Sequence, residues 1–255
     1  LGAAMETEIP SEDEDVPVLL QNNRFAEPVE GVLESFSMPG KGEIDPSPVM
    51  AVFYYILFGM MLSDAAYGLI MVAVCGFCLW KFKNMELSMR KALRMFFFCG
   101  ISTTFWGFLY GSFFGDVVGA FSGTFLGARQ DLGPLWFSPL DEPMRMLMFS
   151  LLVGVIHIFV ALFLGAVQFW KQKRYKDLNY DIVFWYLLVG GLILLLLSAD
   201  MFADIAGIEK LGEPAGTIGS IVAGIGAVGI LLTGGRESKN PVKRLLKGAY
   251  SLYNV

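Results

Sequence analysis

Long uncharged apolar runs alternate with short charged segments along this chain. Runs 95–115, 146–170, 182–199 and 215–235 each have about the 18–25 residues that cross a roughly 30 Å hydrocarbon core as a helix. A fifth run, 48–80, is interrupted only by Asp64. As one straight helix its 33 residues would reach about 50 Å, far beyond the bilayer. Two short helices, about 48–63 and 66–80, turning around Ser63-Asp64-Ala65-Ala66, fit instead. The pattern predicts an all-α, polytopic transmembrane helical bundle of six spans whose first two form a short hairpin.

Charge orders these spans. Segment 81–94 carries Lys81, Lys83, Arg90, Lys91 and Arg94 against Glu86. Segment 171–181 carries Lys171, Lys173, Arg174 and Lys176 against Asp177 and Asp181. Segment 236–247 carries Arg236, Lys239, Lys243, Arg244 and Lys247 against Glu237. The intervening loops are acidic, which by the positive-inside rule puts all three basic segments on the cytoplasmic side. A hairpin then places the leader 1–47, with eleven acids and two bases (net −9), on that side too. Segment 236–255 reads as a basic, amphipathic, interfacial stretch. Trp106, Tyr110, Trp170, Trp185 and Tyr186 fall at or near span ends, as an aromatic belt does.

Composition agrees. The chain is 55% hydrophobic and only 17% charged, with a mean hydropathy of +0.57. That excludes an ordinary cytosolic enzyme and a nucleic-acid binder. No basic n-region followed by a short apolar stretch opens the chain, and Leu1 is not a natural start, so a piece of a longer protein is expected. Cys75 and Cys78 have redox spacing but lie in an apolar run, where helix packing is the better reading.

Three residues are candidates for an ion pathway. Asp64 is either a pathway carboxylate near the outer entrance or a cap exposed at the external turn. Asp116 follows the third span and reads more readily as an interfacial cap. His157, the one histidine, sits near mid-membrane, where it relays protons or hydrogen-bonds a neighbouring helix. Nothing at helical spacing helps it hold a metal, so no metal or cofactor is expected. Gly107, Gly111, Gly115, Gly119, Gly123 and Gly127 recur every four residues, and Gly219 and Gly224 punctuate the sixth span. Both sets predict close helix packing. No catalytic or phosphate-binding motif is present, so the chain is not expected to be an enzyme.

The order of several motifs is informative. Pro28-Val29-Glu30, Glu43-Ile44-Asp45-Pro46-Ser47-Pro48 and Phe58-Gly59-Met60-Met61-Leu62-Ser63-Asp64-Ala65-Ala66-Tyr67-Gly68 are followed by Gly111-Ser112-Phe113-Phe114-Gly115-Asp116 and Gly154-Val155-Ile156-His157. Over residues 17–255 this resembles the membrane half of the large stator subunit of V-type and archaeal A-type rotary ATPases, subunit a or subunit I. Val29, Ser63 and Ala66 depart from the family's Phe, Gly and Gly. The resemblance implies eight transmembrane helices opening with a short hairpin, and a cytoplasmic segment before Pro48. It also implies a prokaryotic plasma membrane and, as partners, a proteolipid ring and other stator subunits. In the family, arginines in the last two helices transfer the ions, proton or sodium. Arg236 and Arg244 do not map onto them, so this chain is expected to be a scaffold lacking the ion-coupling helices and, in isolation, open to homodimerisation. The alternative is an independent small ion transporter or channel using Asp64, Asp116 and His157.

Overall fold

The computed structural model describes residues 18–115, 117–125, 133–207, 209–236 and 241–253. Among these residues the regular elements are all helical. The chain divides into two compact units, one up to Asp141 and one from Glu142 on.

In the first unit a 3₁₀ turn (Glu27–Val29) leads into α1 (Glu30–Phe36). There follow α2 (Ser47–Leu62), α3 (Ala65–Lys81), α4 (Leu87–Tyr110) and α5 (Val117–Phe125). α4 packs on both α2 and α3. Small residues allow the approach: a methyl at Gly59 would strike Ser102, one at Gly68 would strike Thr104, and one at Gly100 would lie 2.9 Å from Met71 Cβ. Ala26, Val29, Ala51, Tyr55 and Cys99 form the buried core where the 3₁₀ turn meets α2 and α4. The Tyr55 hydroxyl donates to the Phe25 carbonyl at 2.9 Å, and Phe25 meets the Tyr55 and Phe98 rings edge-on.

The second unit opens with α6 (Pro143–Lys171). α7 (Tyr175–Asp177) then continues through a π-helical segment (Leu178–Val183) into α8 (Phe184–Ser198). α9 (Asp200–Ala206), α10 (Glu213–Thr233) and α11 (Pro241–Tyr253) follow. α8 and α10 pack against each other more extensively than any other two elements of this unit. A methyl at Gly191 would strike the Ala223 backbone, and methyls at Gly219, Gly226 and Gly229 would meet Leu195, Leu188 and Phe184. These residues recur at spacings of three and four on α10, so they share one face.

Among the described residues four helical stretches are long and apolar enough to cross a membrane: Leu87–Tyr110, Pro143–Lys171, Tyr175–Ser198 and Glu213–Thr233. α2 and α3, at 16 and 17 residues, are shorter apolar helices. The largest departure from the sequence reading is the third span, expected over 95–115. α4 starts eight residues earlier because Lys91 and Arg94 lie along its first turns and pair with Glu30 and Glu27, each at 2.6 Å. It stops at Tyr110 because Gly111 takes a left-handed φ of 71°. Gly111 and Gly115 (φ 67°) therefore do not belong to a helix face, as their spacing suggested.

Candidate functional site

The link between α2 and α3 concentrates the polar contacts of the first unit. Asp64 caps α3: its Oδ1 accepts from the backbone N–H groups of Ala66 and Tyr67, at 3.0 and 3.1 Å. Two orphan donors of the first helical turn are thereby satisfied. Its Oδ2 accepts from the Ser112 hydroxyl at 3.0 Å and from the Gly115 N–H at 2.9 Å. The Ala65 N–H, donating to the Ser112 carbonyl at 2.9 Å, doubles the tie. One carboxylate thus fastens the α2–α3 link to the loop that follows α4.

Local backbone makes this possible. Ser63 ends α2 with φ 40°, which turns the chain at once into α3. After Gly111, the left-handed Phe114 and Gly115 fold the loop back so that the Gly115 N–H points at Asp64. Gly107 completes the fit, since a methyl there would strike the Ala65 backbone nitrogen.

Asp64 is only 5% exposed. Burial by itself raises its carboxyl pKa, but hydrogen bonds from Gly115, Tyr67, Phe114 and Ser112 outweigh it and hold the group below the usual carboxylate range. An ionised carboxylate offers about four lone-pair directions, and the Ala66, Tyr67 and Gly115 N–H groups with the Ser112 hydroxyl are directed at them. Both oxygens of this anion are thus engaged by the surrounding backbone and by Ser112.

Beside this tie lies a cavity of about 730 Å³ lined by Asp64, Tyr67, Tyr110, Ser112, Ser138 and Asp141, among others. The Tyr110 hydroxyl is buried and has no hydrogen-bond partner among the described residues. Its ring stacks on Trp106 and packs against Trp136 and Phe137. Trp106 and Tyr110 are therefore buried in an aromatic cluster, whereas the belt reading placed them at the lipid interface.

Asp116 lies outside the described residues. His157 belongs to the second unit, half-buried and midway along α6. Gly224 faces open space, while Gly219 meets Leu195 and the Gly191 carbonyl. Among the described residues no group of three or more His, Cys, Asp or Glu side chains is placed to hold a metal ion.

The sequence reading missed two clusters. Glu30, of the Pro28-Val29-Glu30 motif, pairs with Lys91 and accepts from Asn22 Nδ2 at 2.9 Å; that same nitrogen reaches Asp45 at 2.7 Å. In the second unit Arg236 donates to both oxygens of Asp181, at 2.7 and 2.6 Å, and to Asp177 at 2.6 Å, with its guanidinium over the Tyr180 ring. The helical spacing of Asp177 and Asp181 was the available signal. Their partner stands 59 and 55 residues further on, beyond the reach of any local pattern.

Residues 3–131 match the sequence pattern of the V-type ATPase 116kDa subunit family. The A-type ATP synthase subunit I of Thermococcus kodakarensis is 31% identical over 182 residues, which are 71% of this chain and 28% of that protein. Its counterpart in Pyrococcus horikoshii is 28% identical over 88% of this chain and 31% of its own length. The V-type ATP synthase subunit I of Chlamydia muridarum is 30% identical over 42% of this chain and 17% of its own. The chain thus spans less than a third of the length of these relatives. With over half of its sequence matched by the family pattern, the chain belongs to the V-type ATPase 116kDa subunit family.

Proposed function

We propose that this integral membrane chain is the scaffold part of the stator subunit of a rotary ATPase. It braces the helices that pass protons or sodium ions to a proteolipid ring and itself holds no ATP site. The observation that carries this reading is the Asp64 tie. A carboxylate buried at a helix link with both oxygens engaged builds a rigid frame, and a frame is what a stator must be to resist the torque of a turning ring. The same saturation weighs against the alternative of an independent transporter running through Asp64, Asp116 and His157.

The proposal includes orientation. The basic segments and the leader face the cytoplasm of a prokaryotic plasma membrane, and the hairpin α2–α3 counts as two spans, giving six. The names of the relatives, ATP synthase subunit I, support the assembly.

Affinity purification of the complete subunit from native membranes tests the reading. The proteolipid ring and further rotary-ATPase subunits should copurify, and proteoliposomes carrying that assembly should pump ions when given ATP. Substituting Asp64→Asn should lower the yield of assembled complex while leaving ions pumped per ATP unchanged in what assembles. A subunit that purifies without any rotary-ATPase partner would sink the proposal.

A further inference from the structure

α11 carries a pattern that a scaffold does not need. Its sequence includes Lys243, Arg244 and Lys247 and no acid. Leu246, Tyr250 and Tyr253 are 64%, 63% and 84% exposed. Their spacings of four and three put them on one face, with the exposed Lys243 and Lys247 along its edge. The opposite face holds Gly248, where a methyl would strike the Leu231 carbonyl in the last turns of α10. A Cβ on Gly234 would come within 3.1 Å of the Gly248 Cα, so the two backbones are in close contact.

This contact fixes the level of α11. Gly248 is near the middle of the helix, so α11 is pinned where α10 ends. α10 is long and apolar enough to cross a membrane, which puts its end among the lipid headgroups. At that level an outward face of Leu and Tyr is suited to the boundary between headgroup and acyl chain. Lysines along its edge are suited to phosphates, and the absence of acids in α11 leaves that charge uncompensated within the helix.

We propose that α11 is a membrane-surface helix that recognises anionic lipid headgroups. Leu246, Tyr250 and Tyr253 enter the interface, and Lys243 and Lys247 hold lipid phosphates. This rests on the reading of α10 as a membrane span.

Hydrogen–deuterium exchange of the whole chain in lipid nanodiscs tests it. Two compositions are compared, phosphatidylcholine alone and phosphatidylcholine with phosphatidylglycerol. Amides of α11 should exchange more slowly in the anionic discs, by about fivefold for each lysine engaged. The variant Lys243→Gln/Lys247→Gln should lose that dependence on lipid charge. Leu246→Ser/Tyr250→Ser should speed exchange in both compositions. Equal α11 exchange in the two compositions, or a dependence that survives the lysine variant, overturns the proposal. So does protection that follows the number of chains per disc, which would make the occupant a second copy. α10 reports on the span in the same experiment. If it exchanges slowly while α11 ignores lipid charge, only the headgroup proposal fails; if it exchanges fast, the span reading fails first.

Discussion

Asp64 joins two elements through one side chain, so its removal leaves donors on both sides. Asp64→Ala would strand the Gly115 N–H and the Ser112 hydroxyl, a penalty of about 1–3 kcal/mol for each group that water cannot reach. Loss of the cap adds about 1 kcal/mol. Thermal unfolding in detergent should show a clear fall in Tm for Asp64→Ala and a smaller one for Asp64→Asn, which keeps an acceptor. The tie is also sensitive to acid. Because the folded-state pKa is depressed, its stabilisation is full above the ordinary carboxylate range and is lost as pH falls through the lowered value. Wild-type Tm should therefore drop more steeply than that of Asp64→Asn on acidification below about pH 4. The glycines separate just as sharply. Gly107→Ala would drive a methyl into the Ala65 nitrogen and should cost about 1–3 kcal/mol, whereas Gly224→Ala meets open space and should cost nothing. Equal Tm shifts for the two alanines would contradict this geometry.

At the scale of elements, four of the apolar runs overlap the four described helical stretches long and apolar enough to cross a membrane, because the length of a run is a local property. Their ends were less legible. α4 begins among basic residues because Glu27 and Glu30, more than sixty positions earlier, neutralise Arg94 and Lys91. A run defined by its lack of charge excludes such turns by construction. The glycine spacing misled for a related reason: a period of four marks a helix face only while the helix lasts, and at Gly111 it ends. On α10, the notable small residues included Gly219, but Gly226 and Gly229 meet α8 just as closely, and only the partner helix reveals which face is used. The Arg236 cluster is another non-local feature, tying the end of α10 to the π-helical segment. Arg236→Gln would remove three charge-assisted hydrogen bonds from groups roughly one-third exposed or less, of which solvent returns part. Amides of Tyr175–Val183 should then exchange about tenfold faster with α6 unchanged, a change of about 1.4 kcal/mol in local opening. Unaltered exchange there would show that the π segment holds without the cluster.

For the molecule as a whole, the open question is whether the chain crosses the membrane four times or six. The alternation of basic and acidic segments allows either, because a hairpin contributes two crossings or none and leaves every later segment on the same side. The proposed count of six rests on the packing of the first unit. At one end, the α2–α3 link is tied by Asp64 to the loop just after α4. At the other, the turn preceding α1 reaches Arg94, and α3 returns through five residues to the start of α4. The hairpin therefore runs between the same two levels as the uncharged part of α4. Its 16- and 17-residue helices measure about 24–26 Å, close to the stretch of α4 beyond Arg94. A crossing of that length asks the bilayer to thin locally, at a fraction of a kcal/mol per Å. Labelling with a membrane-impermeant maleimide decides the matter. A cysteine at Ser63 should react from the face opposite to one at Lys173, with the native cysteines set apart inside α3 and α4. Reaction of both from the same face would make α2 and α3 a surface hairpin and the chain a four-span protein.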